Sequence, residues 1–414
     1  MPSHERKGKC GAKGVRFAPV GEIGDLMIEG HCDPGFAKVR DAFERNFAER
    51  GDIGAAVAVT VSGVPVVDLW GGYRDEKLSL RWERDTIVNV WSVGKAVTAV
   101  CLLRLIDRGL VDLDAPVAKY WPEFAQAGKA ELPVRYLLSH QAGLPAIAKP
   151  LPAGINLTSW KTMATALAEQ APWWEPGTLF GYHTNTFGFL LGEVVRRVDG
   201  RSIGTFLREE IAEPFGIDML FGFGPEHDSR VADWVNYKPE PGEESQRPWL
   251  EKDPATLEGI DLARLMAYRN PPALPDGGVN TRIWRAAEYP STNPHSNARA
   301  IARLYGGLAN RGVIGEDVLL SNGVIEQANT IQADGEDAVL GRPNRFGLGF
   351  QLTIPGVRPL GPGARSFGHY GNGGVLGFAD PDAHIGFGFV CNRAGRSWRD
   401  PRNIALIDAT YASL

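Results

Sequence analysis

Ser92 and Lys95 stand three apart in the run Trp91-Ser92-Val93-Gly94-Lys95. A serine hydroxyl is a weak nucleophile until a base removes its proton. A lysine can be that base only where burial or neighbouring charge lowers its pKa. At a helix start this spacing puts both side chains on one face, and the helix N-terminus favours negative charge developing beside it. Trp91, Val93, Ala96 and Val97 supply an apolar setting, and Ser92 is the only serine here followed three places on by a lysine. Taken alone, the spacing also fits an N-cap serine beside a solvated lysine.

Two further segments carry groups of the right chemistry. Tyr182 lies in Phe180-Gly-Tyr-His-Thr-Asn-Thr-Phe-Gly-Phe, just ahead of a helical pattern, where a phenol can point into a cleft. His369 lies in Phe367-Gly-His-Tyr-Gly-Asn-Gly-Gly, an apolar run entering a glycine turn. His183 reads equally as a pocket-lining group and as packing, and His140, in a Ser-His-Gln-Ala-Gly-Leu-Pro turn, as structural. Gly200-Arg-Ser-Ile-Gly204 matches a nucleophile elbow, but that motif needs a strand before it, and here a helix precedes. Gly200 therefore reads as a helix end and Ser202 as a cap. The eight histidines form no His-x-x-x-His pair and the four cysteines no Cys-x-x-Cys pair, so neither a metal site nor a disulfide framework is expected. No phosphate-binding glycine loop stands in a strand–helix context, and no cofactor is expected.

The elements that must position these groups follow from periodicity. Pro34 to Glu49 is an amphipathic helix. The runs from Gly54 and Val64 flank Ser62-Gly63 as a hairpin. A helix runs from Ser92, its N-cap, to a stop at Gly109. Helices are predicted over Leu132–Ser139, Ser159–Glu169, Thr184–Val198, Ile203–Ile211 and Asn297–Asn310, and strands over Ser366–Tyr370, Val375–Ala379 and Ile385–Cys391, with a helix from about Asp400. This places an N-terminal arm at 1–30, a sheet domain at 31–92 and 330–414, and a helical domain at 93–329. Residues 221–294, rich in Pro, Gly and charge, form a lid or pocket wall. The expected fold class is α/β (α+β), an antiparallel sheet built from both chain ends around a mainly helical insertion.

Length and charge narrow the function classes. At 414 residues the chain buries a core without staples. A net charge of −5 argues against nucleic acid. No basic run marks a membrane surface, and no apolar run reaches the ~18 residues of a membrane span. The charged start, with no apolar stretch after it, is no secretory signal, so a cytoplasmic protein is expected. The sequence carries no sign of oligomeric state.

The Ser-x-x-Lys pair, Tyr182 and the glycine-turn strand, in that order, resemble the serine β-lactamase and penicillin-binding-protein superfamily. The chain is most similar to its class C β-lactamase-like branch, the family VIII carboxylesterases. The resemblance spans about Ile28 to Leu414. It includes Val111-Asp-Leu-Asp-Ala-Pro-Val, Leu137-Leu-Ser-His-Gln-Ala-Gly-Leu-Pro, Trp174-Glu-Pro-Gly and Leu376-Gly-Phe-Ala-Asp-Pro. It implies the β-lactamase/transpeptidase fold and a small-molecule ester substrate with short acyl chains. It implies Ser92 as nucleophile and Lys95 with Tyr182 as proton relay, either being the base. The oxyanion hole would be the N–H groups of Ser92 and Asn372, and His369, Tyr370, Gly371 and His183 would meet the substrate.

Two departures bear on substrate. The Tyr-x-Asn element reads Tyr182-His183-Thr184, with Asn185 one place late, and His369 stands where β-lactamases carry a lysine. A histidine is at most partly charged near neutral pH, so neutral esters are expected over anionic β-lactams. The alternatives are a β-lactamase or D-alanyl-D-alanine peptidase, an acyltransferase with the same serine chemistry, and, remotely, a non-catalytic binding protein.

Overall fold

A computed structural model describes residues 27–151, 159–239, 241, 243, 247–270 and 278–414. The hairpin forms as Gly54–Val61 and Val64–Gly72. Its turn takes positive φ at both central residues, Ser62 (51°) and Gly63 (80°). A two-residue loop needs that to match the right-handed twist of the strands.

The hairpin belongs to a nine-stranded antiparallel sheet. The order across it is Ile28–Cys32, Val64–Gly72, Gly54–Val61, Ile385–Cys391, Leu376–Asp380, Phe367–Tyr370, Gln351–Leu352, Pro343–Phe346 and Ala333–Glu336. The two ends of the chain meet at its centre, where Val61 pairs with Ile385 and Ala55 with Cys391. Every residue of Ile385–Cys391 is buried, so both faces of this strand are covered.

One face is covered by the helix Ala298–Ala309, which packs on Ile385–Cys391, Gly54–Val61 and Leu376–Asp380. Backbone-to-backbone approach makes this possible. A Cβ on Gly386 would sit 2.2 Å from the Gly306 nitrogen, and one on Gly388 2.3 Å from the Ala298 carbonyl. Alternation sends Phe387 and Phe389 to the other face. The terminal helix Pro401–Tyr411 packs against Ala37–Arg50, tied in by buried Arg402, which pairs with Asp52 (2.6 Å) and Asp400 (2.7 Å).

Three expectations change in detail. Residues 1–26 of the expected arm lie outside the described residues, while Ile28–Cys32 is an edge strand paired with Val64–Gly72. The helix Ala298–Ala309, placed in the helical region by position, covers the sheet because its small residues fit the glycines there. The 221–294 segment contains an unexpected helix, Gly259–Arg269; residues 240, 242, 244–246 and 271–277 of that segment lie outside the described residues. No helix among the described residues is long and apolar enough to cross a membrane.

Candidate active site

The helix Val93–Asp107 begins right after Ser92, yet Ser92 does not cap it. Its backbone is already helical (φ −68°, ψ −4°) and its side chain makes no cap bond. The hydroxyl instead accepts a hydrogen bond from Lys95 Nζ at 3.1 Å. The expected cap fails because the side chain turns to the lysine rather than to a free helix N–H. Trp91, just before, holds φ at 52°, a costly conformation for a bulky residue that persists only where surrounding packing dictates it.

Lys95 is fully buried. A Cβ on Gly94 would lie 2.1 Å from Pro294 Cγ, so this helix start presses directly on the 290–294 loop. From there Ser291 offers its carbonyl to Lys95 Nζ at 3.0 Å. Lys95 has no carboxylate partner among the described residues, and burial holds its pKa well below the usual lysine value. Burial thus favours the uncharged amine where Lys95 faces the serine hydroxyl. Tyr182 closes the group: its ring lies 4.7 Å from Lys95 Nζ, and its backbone N–H is held by the Asp337 carboxylate at 2.9 Å. Burial drives the phenol upward, beyond the usual tyrosine range, and interaction with Ser92 only partly offsets this. Tyr182 is thus a proton donor at rest, not a phenolate.

The histidines fall differently from expectation. His369 is buried, with Nδ1 2.7 Å from the Tyr370 carbonyl and Nε2 3.5 Å from the Tyr182 hydroxyl. A carbonyl can only accept, so Nδ1 carries the hydrogen and Nε2 accepts from Tyr182. Burial, above all, pushes its pKa down to about 3. His369 therefore sits behind Tyr182 as a neutral acceptor and does not line the cavity.

His183 lies away from the cavity as well. Its Nε2 accepts from the Leu144 N–H (3.0 Å) and its Nδ1 donates to the Gly181 carbonyl (2.6 Å). Both nitrogens are committed to backbone, and the ring is not among the residues lining the cavity over Ser92. His140 accepts the His183 N–H at 3.1 Å and packs on Tyr182 and Phe346.

A cavity of about 340 Å³ opens over Ser92, lined also by Tyr182, Gly371, Asn372 and Tyr370. The Tyr370 hydroxyl points away, donating to the Pro359 carbonyl at 2.8 Å. The N–H groups of Ser92 and Asn372 donate no hydrogen bond to other described residues, so both amides remain available to a ligand. Trp91, Trp284, Tyr289, Tyr268 and Trp398 form aromatic walls, and the 221–294 segment contributes to them as pocket wall.

The cavity is rich in cationic groups. Arg247, Arg342, Arg358 and Arg396 line it, and Arg396 is paired with the Glu243 carboxylate. Sequence reasoning missed these groups. They come from four separate non-periodic stretches, and only the Arg342-Pro-Asn-Arg and Arg396-Ser-Trp-Arg clusters gave a compositional hint.

The alternative serine motif is structural. Gly200 ends a helix at φ 91°, and Ser202 caps the next by accepting the Thr205 N–H. Among the described residues no group of histidine, cysteine and carboxylate side chains could hold a metal ion.

Comparison with known proteins agrees with this geometry. Residues 40–412 match the β-lactamase family. The esterase/β-lactamase LipL of Mycobacterium tuberculosis is 34% identical over 88% of this chain and 83% of its own. The crystal structure of a family VIII carboxylesterase superposes with a TM-score of 0.85 at 38% identity, over 94% of this chain and all of the other. A penicillin-binding-protein homologue from Caulobacter crescentus gives 0.84 at 39%, with the same coverage. With the fold, the serine–lysine–tyrosine cluster and these likenesses together, the chain is a serine hydrolase and belongs to the β-lactamase family.

Proposed function

We propose that the protein hydrolyses carboxylic esters of short acyl chains through an acyl-enzyme on Ser92. The observation that carries this reading is a fully buried lysine, without a carboxylate partner among the described residues, 3.1 Å from the Ser92 hydroxyl. Lys95 as free amine takes the Ser92 proton while Oγ attacks the ester carbonyl. Its lowered pKa and the raised pKa of Tyr182 support Lys95, rather than Tyr182, as the first base. The oxyanion that forms is met by the Ser92 and Asn372 N–H groups, a contribution of about 3 kcal/mol for one such donor. On collapse, Tyr182 gives its proton to the departing alkoxide and is reprotonated by the Lys95 ammonium. Water then attacks the acyl-enzyme, its proton passing to Lys95, and Ser92 leaves reprotonated. His369, holding the Tyr182 hydroxyl in the resting site, is a positioning residue.

The names borne by similar proteins, esterase/β-lactamase and family VIII carboxylesterase, support ester hydrolysis. A β-lactamase activity is the second reading, because Arg342 and Arg358 at the cavity suit an anionic substrate. Purified protein and its Ser92→Ala variant are assayed with 4-nitrophenyl butyrate and a chromogenic cephalosporin. Burst kinetics on the butyrate and loss of at least ~10³-fold in the variant are expected. Equal rates in the two proteins would sink the esterase reading, and a higher kcat/KM for the cephalosporin would replace it with the second.

A further inference from the structure

Two guanidinium groups meet at one end of the cavity with nothing acidic between them. Arg342 and Arg358 both lie over the Trp398 ring, their central carbons 4.5 Å and 4.4 Å from its centroid. Arg358 is almost wholly buried and donates to the Pro343 carbonyl and the Asn344 side-chain oxygen, both neutral. Arg342 Nε is buried without a hydrogen-bond partner among the described residues. The nearest acid, Asp337, is already committed: it accepts the N–H groups of Tyr182, Val339 and Leu340 and the Asn344 amide.

Such a pair is costly to fold. Burial acts on both groups: the Arg358 pKa is pushed down to about 10 by burial first and the Arg342 charge second, and that of Arg342 is lowered by burial first, with the Arg247 charge adding to it. Both stay protonated at neutral pH. Buried charge is normally paired, and an arginine fork over an aromatic face is the arrangement that holds a carboxylate through two parallel N–H bonds. Trp398 stacks edge-on with Tyr370 at 4.6 Å, so the platform is anchored to the strand that ends at the Asn372 turn.

We propose that Arg342, backed by Arg358 on the Trp398 platform, binds a carboxylate on the substrate, so that the preferred esters are anionic rather than neutral. The inference rests on the ester-hydrolase reading above and changes its substrate class. The cation missing from the strand, where His369 stands, is supplied instead by Arg342 and Arg358 at the Trp398 platform. The carboxylate remains unreacted; its place is to orient the ester toward Ser92.

The test uses two matched pairs of esters. Mono-4-nitrophenyl adipate against 4-nitrophenyl butyrate places the charge on the acyl side. 4-Acetoxybenzoate against methyl 4-acetoxybenzoate places it on the alcohol side. In at least one pair, Arg342→Gln lowers the charged-to-neutral ratio of kcat/KM by about tenfold to a hundredfold. Arg342→Lys, which keeps charge without the fork, retains part of that ratio. Thermal melting confirms that each variant is folded. Ratios unchanged in both pairs overturn the proposal. If wild type turns over neither member of either pair, the ester reading itself fails. The anion site is then judged separately, by calorimetric titration of benzoate and inorganic phosphate into Ser92→Ala and its Arg342→Gln derivative. Benzoate binding lost with Arg342 supports the site; no benzoate binding, or tighter binding of phosphate, overturns it.

Discussion

Two lysines among the described residues are fully buried, Lys95 beneath the cavity and Lys129 in the loop before the Val134–Leu138 helix. Neither has a carboxylate partner among the described residues, and each lies near an aromatic ring, Tyr182 at 4.7 Å and Phe124 at 5.1 Å. Their hydrogen bonds separate them. Lys129 donates to three backbone carbonyls, those of Gln126 (2.8 Å), Ala168 (3.0 Å) and Gln170. An ammonium has three hydrogens, so that cage fits the charged form completely, and its pKa is lowered only to about 8. Lys95 has one carbonyl and one serine hydroxyl. Its cage is incomplete for an ammonium, and the group opposite is one that can give up a proton. Burial alone does not make a catalytic lysine; a cage that leaves room for the lone pair does.

Replacing each lysine by methionine tests that distinction most sharply. Lys95→Met lowers kcat/KM on a good ester by roughly 10³-fold or more, while its melting temperature holds or rises because a desolvated amine has been removed. Lys129→Met does the reverse. Three carbonyls lose their donor, costing about 2–4 kcal/mol in all, and kcat of the folded protein stays within about twofold of wild type. Calorimetry and steady-state kinetics on both variants decide it; matching losses of activity would erase the contrast.

Tyr182→Phe should act more mildly. Lys95 can still deprotonate Ser92, but the leaving oxygen loses its donor, so kcat falls by about 10²-fold. The loss should shrink for esters whose alcohol is acidic, such as 4-nitrophenol, relative to alkyl esters. An equal loss on both would remove Tyr182 from the proton path.

A smaller effect is expected in acid. Burial holds His183 at about 4 and His295 and His369 at about 3, against ~6.5 in the unfolded chain. Between those limits the unfolded state binds more protons, so stability falls as pH drops from about 6.5 toward 3. Melting temperatures at pH 7.5, 6, 5 and 4 should decline throughout; a flat curve to pH 5 would mean these rings are not held neutral. The same series read as activity should show an acid limb as Lys95 gains its proton, and no such limb assignable to Tyr182.

The hairpin and most of the helices were legible in the sequence because each is dictated locally. Ser62-Gly63 demands a tight turn, and the apolar spacing after Ser92 admits little but a helix. Ser92 and Lys95 were legible because three residues of helix fix their separation. What eluded the sequence depends on distant chain. Whether Ser92 would cap its helix or turn to Lys95 depends on the 290–294 loop, which places the Ser291 carbonyl against Lys95 Nζ. His183 and His369 announced their chemistry but not their direction, which was set by the carbonyls of Gly181 and Tyr370. Arg342, Arg358 and Trp398 come together only because three loops converge. The Gly259–Arg269 helix was hidden because its apolar positions are diluted by the proline- and glycine-rich flanks.

The pairing of Val61 with Ile385 at the centre of the sheet has a consequence for the order in which this molecule comes into being. On a ribosome, Gly54–Val61 emerges well before Ile385–Cys391 and waits through the chain between them before that neighbour appears. Until then it presents an unpaired, apolar strand edge, the kind of surface on which nascent chains aggregate. Asn372 is likewise made long after Ser92, so the proposed oxyanion site cannot close until the chain between them has been made. Contacts this distant in sequence make for slow folding; the protein is therefore inert while nascent and leans on whatever shields its first hairpin in the meantime.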